Sequence, residues 1–275
     1  MIGLALGALA GAHGLLVGGG AVALALPNPW LRLTRARGTP GDDGVPFQAV
    51  CLADGCAAWI TAPIRPTGVV ICHGRSRSKA WERPLIKALA AAHTVLAFDF
   101  PGHGDNRYAP TTLGDREAAS VNHAVDALVA HGVERVVLYG CSMGGAAALI
   151  SQGRAPHPAV RGVITDGAFA AFSEVVDHAG RALPGYVRRS ALGLTGRLNG
   201  YDPWAVRPID GVASIPVPVR LLHGDADTLV TPDAADRMAA AGGATVRAQR
   251  YAGGHDEPAN PAMIAAVQAF AAEVL

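Results

Sequence analysis

The sequence predicts an α/β fold: a mostly parallel, twisted sheet with helices on both faces, preceded by one N-terminal membrane helix. Three observations predict it. Short apolar runs recur from Phe47 onward, each ending near Gly, Asp or Pro. Most are separated by stretches with helical spacing, and strands alternating with helices imply a parallel sheet covered on both sides. Ahead of them, Met1 to Leu26 carries no charged residue, which satisfies the ~20 largely apolar residues a bilayer span needs.

The first element is that apolar run. Pro27, Asn28 and Pro29 end any helix there, and Trp30 suits a membrane interface. A cleaved signal peptide would have a charged start and a shorter apolar core. The absence of Lys or Arg before the run favours a retained, single-pass anchor over residues 1–26, although Ala23-Leu24-Ala25 resembles a cleavage site. A helix buried in the globular domain is the weakest of the three readings, because that domain is complete without it. Arg32, Arg35 and Arg37 follow directly, so positive charge should stay cytoplasmic and the remaining chain should face the cytoplasm. Gly3, Gly7, Gly11, Gly14 and Gly18 fall on one helical face, a spacing that lets two membrane helices approach and would give a homodimer. A glycine- and alanine-rich composition also produces such a stripe by chance.

Residues 27–46, rich in Gly, Pro and charge, read as a linker. Residues 47–275 form the domain. Phe47–Leu52 and Ala57–Thr61 flank Asp54-Gly55 and predict a hairpin. Further strands are expected at Val69–Cys72, Thr94–Phe98, Arg135–Tyr139, Gly162–Thr165, Val217–Leu222 and Thr245–Gln249. Helices are expected at Pro84–Ala92, Ala118–His131, Gly144–Gln152, Ala234–Ala241 and Pro261–Val274. Residues 169–216 would hold any cap; Arg181, Arg188, Arg189 and Arg197 stand there among leucines.

Composition narrows the functions. The 275 residues are 50% hydrophobic with a formal net charge of +1, so a surface that tracks nucleic-acid phosphates is not expected. Cys51, Cys56, Cys72 and Cys141 lack paired CxxC spacing, and no histidine pair has metal-binding helical spacing, so no metal site is expected. Cys51 and Cys56 flank the hairpin turn, where a bridge between them is one reading and two free thiols the favoured one.

The chemistry centres on Gly140-Cys141-Ser142-Met143-Gly144, between the strand Arg135–Tyr139 and a helical run. A serine on a sharp strand-to-helix turn is lifted above the sheet, and small residues two before and two after avoid collision there. In this arrangement the triad runs Ser, acid, His along the chain. Asp227, in His223-Gly224-Asp225-Ala226-Asp227, follows one strand; His255, after Gly253-Gly254, follows the next. Asp225 and Asp166 are the rival acids, the latter with a helix-capping role as its other use.

With these residues in view, the stretch Val69–Asp256 resembles the α/β-hydrolase superfamily, in particular its small-capped esterase/lipase-like branch. Cys72-His73-Gly74-Arg75 is similar to that family's oxyanion-loop motif. Phe98-Asp99-Phe100-Pro101-Gly102-His103-Gly104 is similar to the loop after its next strand, and Val163-Ile164-Thr165-Asp166-Gly167-Ala168 to the strand and turn before its cap. The resemblance places the acid at Asp227 and implies that His73, His103 and His223 shape turns. It implies a serine hydrolase of carboxylic esters, including lipid or acyl esters, with Ser142 as nucleophile, His255 as base and Asp227 orienting the base. Backbone N–H groups of Met143 and Arg75 would hold the oxyanion, and no cofactor is required. Left open are a peptidase or thioesterase of the same fold, and a non-catalytic membrane-bound binding protein.

Overall fold

The computed structural model describes the backbone of residues 2–25 and 37–275, with side chains from residue 13 onward, apart from residues 26–36. The expected glycine face therefore lies partly outside the described side chains, as do the first linker residues with Arg32 and Arg35. The latter part of that segment is tied to the domain. Arg83 Nε meets Asp43 Oδ2 at 2.6 Å, and its Nη1 donates to the Arg37 carbonyl at 2.8 Å.

Eight strands form one sheet: β1 (Phe47–Cys51), β2 (Ala57–Thr61), β3 (Thr67–Cys72), β4 (Thr94–Phe98), β5 (Arg135–Cys141), β6 (Val160–Asp166), β7 (Val219–Gly224) and β8 (Val246–Tyr251). Their order is β1-β2-β4-β3-β5-β6-β7-β8. The β1–β2 and β2–β4 pairs are antiparallel, and β3 to β8 run parallel. The hairpin closes where Gly55 N donates to Leu52 O at 2.9 Å, with Gly55 at φ +85°. All four cysteines are free thiols.

Period-two alternation in the central strands divides the core. Val70, Leu96 and Leu138 pack against α3 (Glu117–Ala130) and α4 (Met143–Arg154). Val69, Ile71 and Tyr139 face the other way, toward α2 (Arg83–Ala90) and the C-terminal helix Pro261–Val274. The start of α4 is made of Gly and Ala because it lies hard against the sheet. A Cβ on Gly145 would come within 2.8 Å of the Gly140 oxygen.

Between β6 and β7 the chain makes an excursion containing α5 (Phe172–Ala179) and α6 (Gly185–Asn199). The first helix, α1 (Ile2–Ala25), is seated on it. Ala21 and Ala25 are buried, a Cβ on Gly20 would stand 3.1 Å from that of Ala191, and Thr195 Oγ1 donates to Ala21 O at 3.2 Å. The expected membrane-spanning helix is not found: among the described residues no helix is long and apolar enough to cross a membrane. The physical reason for the seating is that small side chains on both helices allow close approach. Around Gly14 and Gly18, by contrast, a Cβ would meet nothing within 4 Å.

Candidate active site

The parallel register aligns the carboxyl ends of β3, β5 and β6: Cys72 pairs with Gly140, and Cys141 with Asp166. Gly224 and Tyr251 end β7 and β8 side by side. Five loops therefore leave the sheet along one edge, the edge where ligands bind in open α/β sheets.

Ser142 stands between β5 and α4 with φ +49° and ψ −114°, a left-handed conformation that costs a non-glycine residue about 1–3 kcal/mol. Its neighbours make it tolerable. A Cβ on Gly140 would lie 2.5 Å from the Gly144 carbonyl carbon and oxygen, and one on Gly144 would lie 2.1 Å from the Cys72 oxygen. Neither position accepts a larger residue. Ser142 N donates to Asp166 O at 2.8 Å. Met143 opens α4, so its N–H has no acceptor within the helix. Gly74 lies beside the serine, with its would-be Cβ 3.7 Å from Ser142 Cβ.

Asp227 and His255 come from the next two loops. His255 Nδ1 meets Asp227 Oδ2 at 2.6 Å. The other carboxylate oxygen accepts Leu229 N and Val230 N, each at 2.9 Å, and His223 Nε2 lies 3.1 Å from Oδ2. Burial raises the Asp227 carboxyl, but hydrogen bonds from His223 and His255 outweigh it and hold the group well below the usual carboxylate range. For His255, burial opposes the charged ring; the hydrogen bond and charge of Asp227 override it and raise the imidazole above its ordinary value. Gly167, at φ +60°, leaves room for this pair: a Cβ there would sit 3.0 Å from His255 Nδ1.

Ser142, Met143, Arg75 and His255 line one cleft of about 330 Å³; Ser76, Arg77 and Asp256 add polar groups to it, and Phe169, Phe172 and Val176 from the excursion form an apolar wall. Asp227 lies buried behind the histidine. Among the rival acids, Asp225 is exposed. Asp166 caps no helix: its carboxylate accepts the Tyr251 hydroxyl at 2.9 Å, and burial pushes it up to about 7.

The three loop histidines have distinct environments. His73 Nε2 accepts Phe100 N at 3.0 Å, so Nδ1 carries the proton and donates to Gly74 O at 2.7 Å; the ring braces two loops. His103 is bound to Pro101 O at 2.9 Å and burial lowers it to about 3. His223 bonds Val230 O at 2.9 Å and supports the acid. Among the described residues no group of three His, Cys, Asp or Glu side chains is placed to hold a metal ion.

Two contributors escape sequence reasoning. Asp256 is held at φ +60° and accepts from Arg77 Nε at 2.5 Å and Trp81 Nε1 at 3.0 Å. Its only signal is adjacency to His255. Leu24, at the end of α1, forms part of the cleft wall, and nothing in its local sequence announces that.

The profile described as "Alpha/beta hydrolase family" matches residues 69–273. Protein YfhR of Escherichia coli K12 is 29% identical over 169 residues, covering 59% of this chain and 53% of its own length; YfhR of Salmonella typhi is 29% identical over 177 residues. The chain thus spans about half the length of these curated relatives. Among solved structures, the Pyrococcus furiosus esterase Pf2001 superposes with a TM-score of 0.74 at 21% identity, covering 91% of this chain and 98% of that one. A bacterial membrane phospholipase A superposes with a TM-score of 0.63 at 22% identity, covering 99% and 97%. At these identities the likeness is one of fold.

Proposed function

The chain belongs to the alpha/beta hydrolase family, and on that premise we propose that it is a serine hydrolase cleaving carboxylic esters through an acyl-enzyme. The observation that carries the reading is Ser142, lifted at φ +49° into a cleft that it shares with a histidine held 2.6 Å from a buried aspartate. In the proposed cycle His255 takes the Ser142 hydroxyl proton as Oγ attacks the ester carbonyl carbon. Asp227 fixes the proton on Nδ1 and stabilises the imidazolium. The backbone N–H groups of Met143 and Arg75 receive the developing oxyanion, where charge-aimed donors do most of the work. His255 then returns the proton to the leaving alkoxide, and water, deprotonated by the same ring, releases the acid.

The cleft wall of Phe169, Phe172, Val176 and Leu24 favours an apolar acyl group. A lipid-surface setting is supported by the outer faces of α1 and the excursion. Leu15 is 79% exposed, and Tyr186 and Leu198 are each 64% exposed. Arg189 and Arg197 line an adjoining open groove of about 940 Å³ with Trp204 and Leu194. The esterase and phospholipase likenesses agree with ester chemistry on this fold, which alone would decide nothing.

The test is labelling with a fluorophosphonate probe and turnover of p-nitrophenyl esters from C2 to C12. Ser142→Ala should lose both, by ~10⁴-fold or more in rate. A wild-type chain that neither labels nor turns over any ester would leave a binding protein in place of an enzyme.

A further inference from the structure

We propose that the end of α1 is a working part of the catalytic cleft: its seating on the excursion holds Arg75, and through it the oxyanion loop, in place. The proposal rests on the ester-hydrolase reading of the same cleft and adds a positioning element that lies outside the family-matched residues 69–273.

Arg75 faces two ways. Its backbone stands on the loop beside Ser142, where its N–H is one of the two proposed oxyanion donors. Its guanidinium turns away, and Nη2 donates to the carbonyls of Ala23 and, at 3.3 Å, Leu24. These belong to the last turn of α1, where carbonyls have no intrahelical partner and the helix dipole is negative. A guanidinium is the side chain best suited to satisfy two such acceptors at once.

The same turn is fixed from two other directions. Thr111 N donates to Ala25 O at 2.8 Å, and Thr195 Oγ1 on α6 donates to Ala21 O at 3.2 Å. The carbonyls of Ala21, Ala23, Leu24 and Ala25 thus bind three separate segments of the domain. Gly20 and Ala191 let the backbones approach, and Leu24 closes one side of the acyl wall. Lifting α1 would remove the Ala23 and Leu24 carbonyls from Arg75 and open that wall in one motion. The bonding is that of a fixed wall rather than of a lid that must leave for substrate to enter.

The full-length chain tests this in both directions. A Gly20→Cys/Ala191→Cys pair places its Cβ atoms 3.1 Å apart before relaxation, close to the ~3.5–4.5 Å of a disulfide, and so locks α1 down. The oxidised protein should hydrolyse C2 and C8 esters within about twofold of the reduced one in kcat/KM. Loss of turnover on oxidation, restored by reductant, would overturn the fixed wall. In the opposite direction, Arg75→Met keeps the backbone N–H but drops its tether. It should lower kcat on p-nitrophenyl acetate by about tenfold or more, short of the ~10²–10³ for losing a donor outright, with KM within about twofold. Arg75→Lys should recover part of that. Gly20→Trp, which wedges α1 off α6 and leaves Arg75 intact, should give the same kcat loss. Combined with Arg75→Met, it should be no worse than the worse single variant, because both cut one link. Wild-type kcat in Gly20→Trp overturns the proposal even if Arg75→Met does not fold. Loss of Ser142 labelling in the unmodified chain would instead strike the ester-hydrolase reading itself.

Discussion

Arg77 Nε lies 2.5 Å from Asp256 Oδ2, joining the loop after β3 to the loop that carries His255. The Arg77 guanidinium also stacks 4.1 Å over the Trp81 ring, and Trp81 Nε1 donates to the same carboxylate. One carboxylate therefore clamps the loop after β3, the proposed oxyanion loop, to the loop of His255. Asp256→Ala should lower kcat on short esters by about tenfold while leaving Ser142 able to label. A double-mutant cycle with Arg77→Ala should give a coupling of about 0.5–3 kcal/mol, as for other residues in contact. Additive losses would mean that the two residues act separately.

In the proposed cycle Asp227 sets the acid limb of the pH profile. The base must be neutral to accept the serine proton, and Asp227 raises His255 above its ordinary 6.5. Activity should therefore rise with pH, with a midpoint above ~6.5 in kcat/KM. Asp227→Asn should cut kcat by about 10⁴-fold and move the limb to lower pH. Asp225→Asn, at an exposed position, should do neither. Steady-state profiles between pH 5 and 9 decide it.

Asp166 makes an opposite contribution to stability. Its carboxyl is raised from 3.8 to about 7 in the fold, chiefly by burial. Below pH 3.8 it is protonated in both states, and its neutral form is accommodated at full benefit. As pH rises the unfolded chain ionises first, and the benefit is lost by the time pH passes through about 7. Asp166→Asn should therefore raise Tm at pH 8 by about 2–4 °C, the shift that about 1 kcal/mol gives at this size, with a smaller gain at pH 5. Thermal melts at the two pH values check the sign.

Lipid contact should depend on Arg189 and Arg197 more than on Arg188, whose Nε is paired with Asp177 at 2.8 Å. With anionic vesicles, Arg189→Ala/Arg197→Ala should weaken cosedimentation by about 1 kcal/mol per charge removed. Salt should weaken binding of the wild type, since screening acts within ~10 Å at 0.1 M. Equal binding to neutral and anionic vesicles would remove the electrostatic part of this reading.

How much of this was legible in the sequence follows from locality. Thr94–Phe98 and Ala57–Thr61 could be bounded to the residue because apolar runs stop at turn formers. β5 runs on to Cys141 because Gly140 pairs with Cys72 and Thr165 and Cys141 with Asp166, not through their own propensity. Ser142, Asp227 and His255 were visible because each follows a strand. The Arg77–Asp256 clamp was not, since its partners are 179 residues apart. The helices α5 and α6 were hidden in a stretch of mixed Arg and Leu, although Val187, Ala191 and Thr195 mark a buried face at helical spacing. The seating of α1 was not foreseen because an uncharged run of Gly, Ala and Leu suits a bilayer and a neighbouring helix equally well.

The excursion leaves the sheet at Asp166 and returns on the adjacent strand at Val219, the partner of Val163. For an engineer, such a segment looks like a cassette: both attachment points stay in register whatever lies between them. The seat of α1 on Ala191 and Thr195 changes that. An excursion transplanted alone would arrive without its matching first helix, and the proposed tether of Arg75 to Ala23 and Leu24 would be put at risk with it. The two segments should travel as one graft.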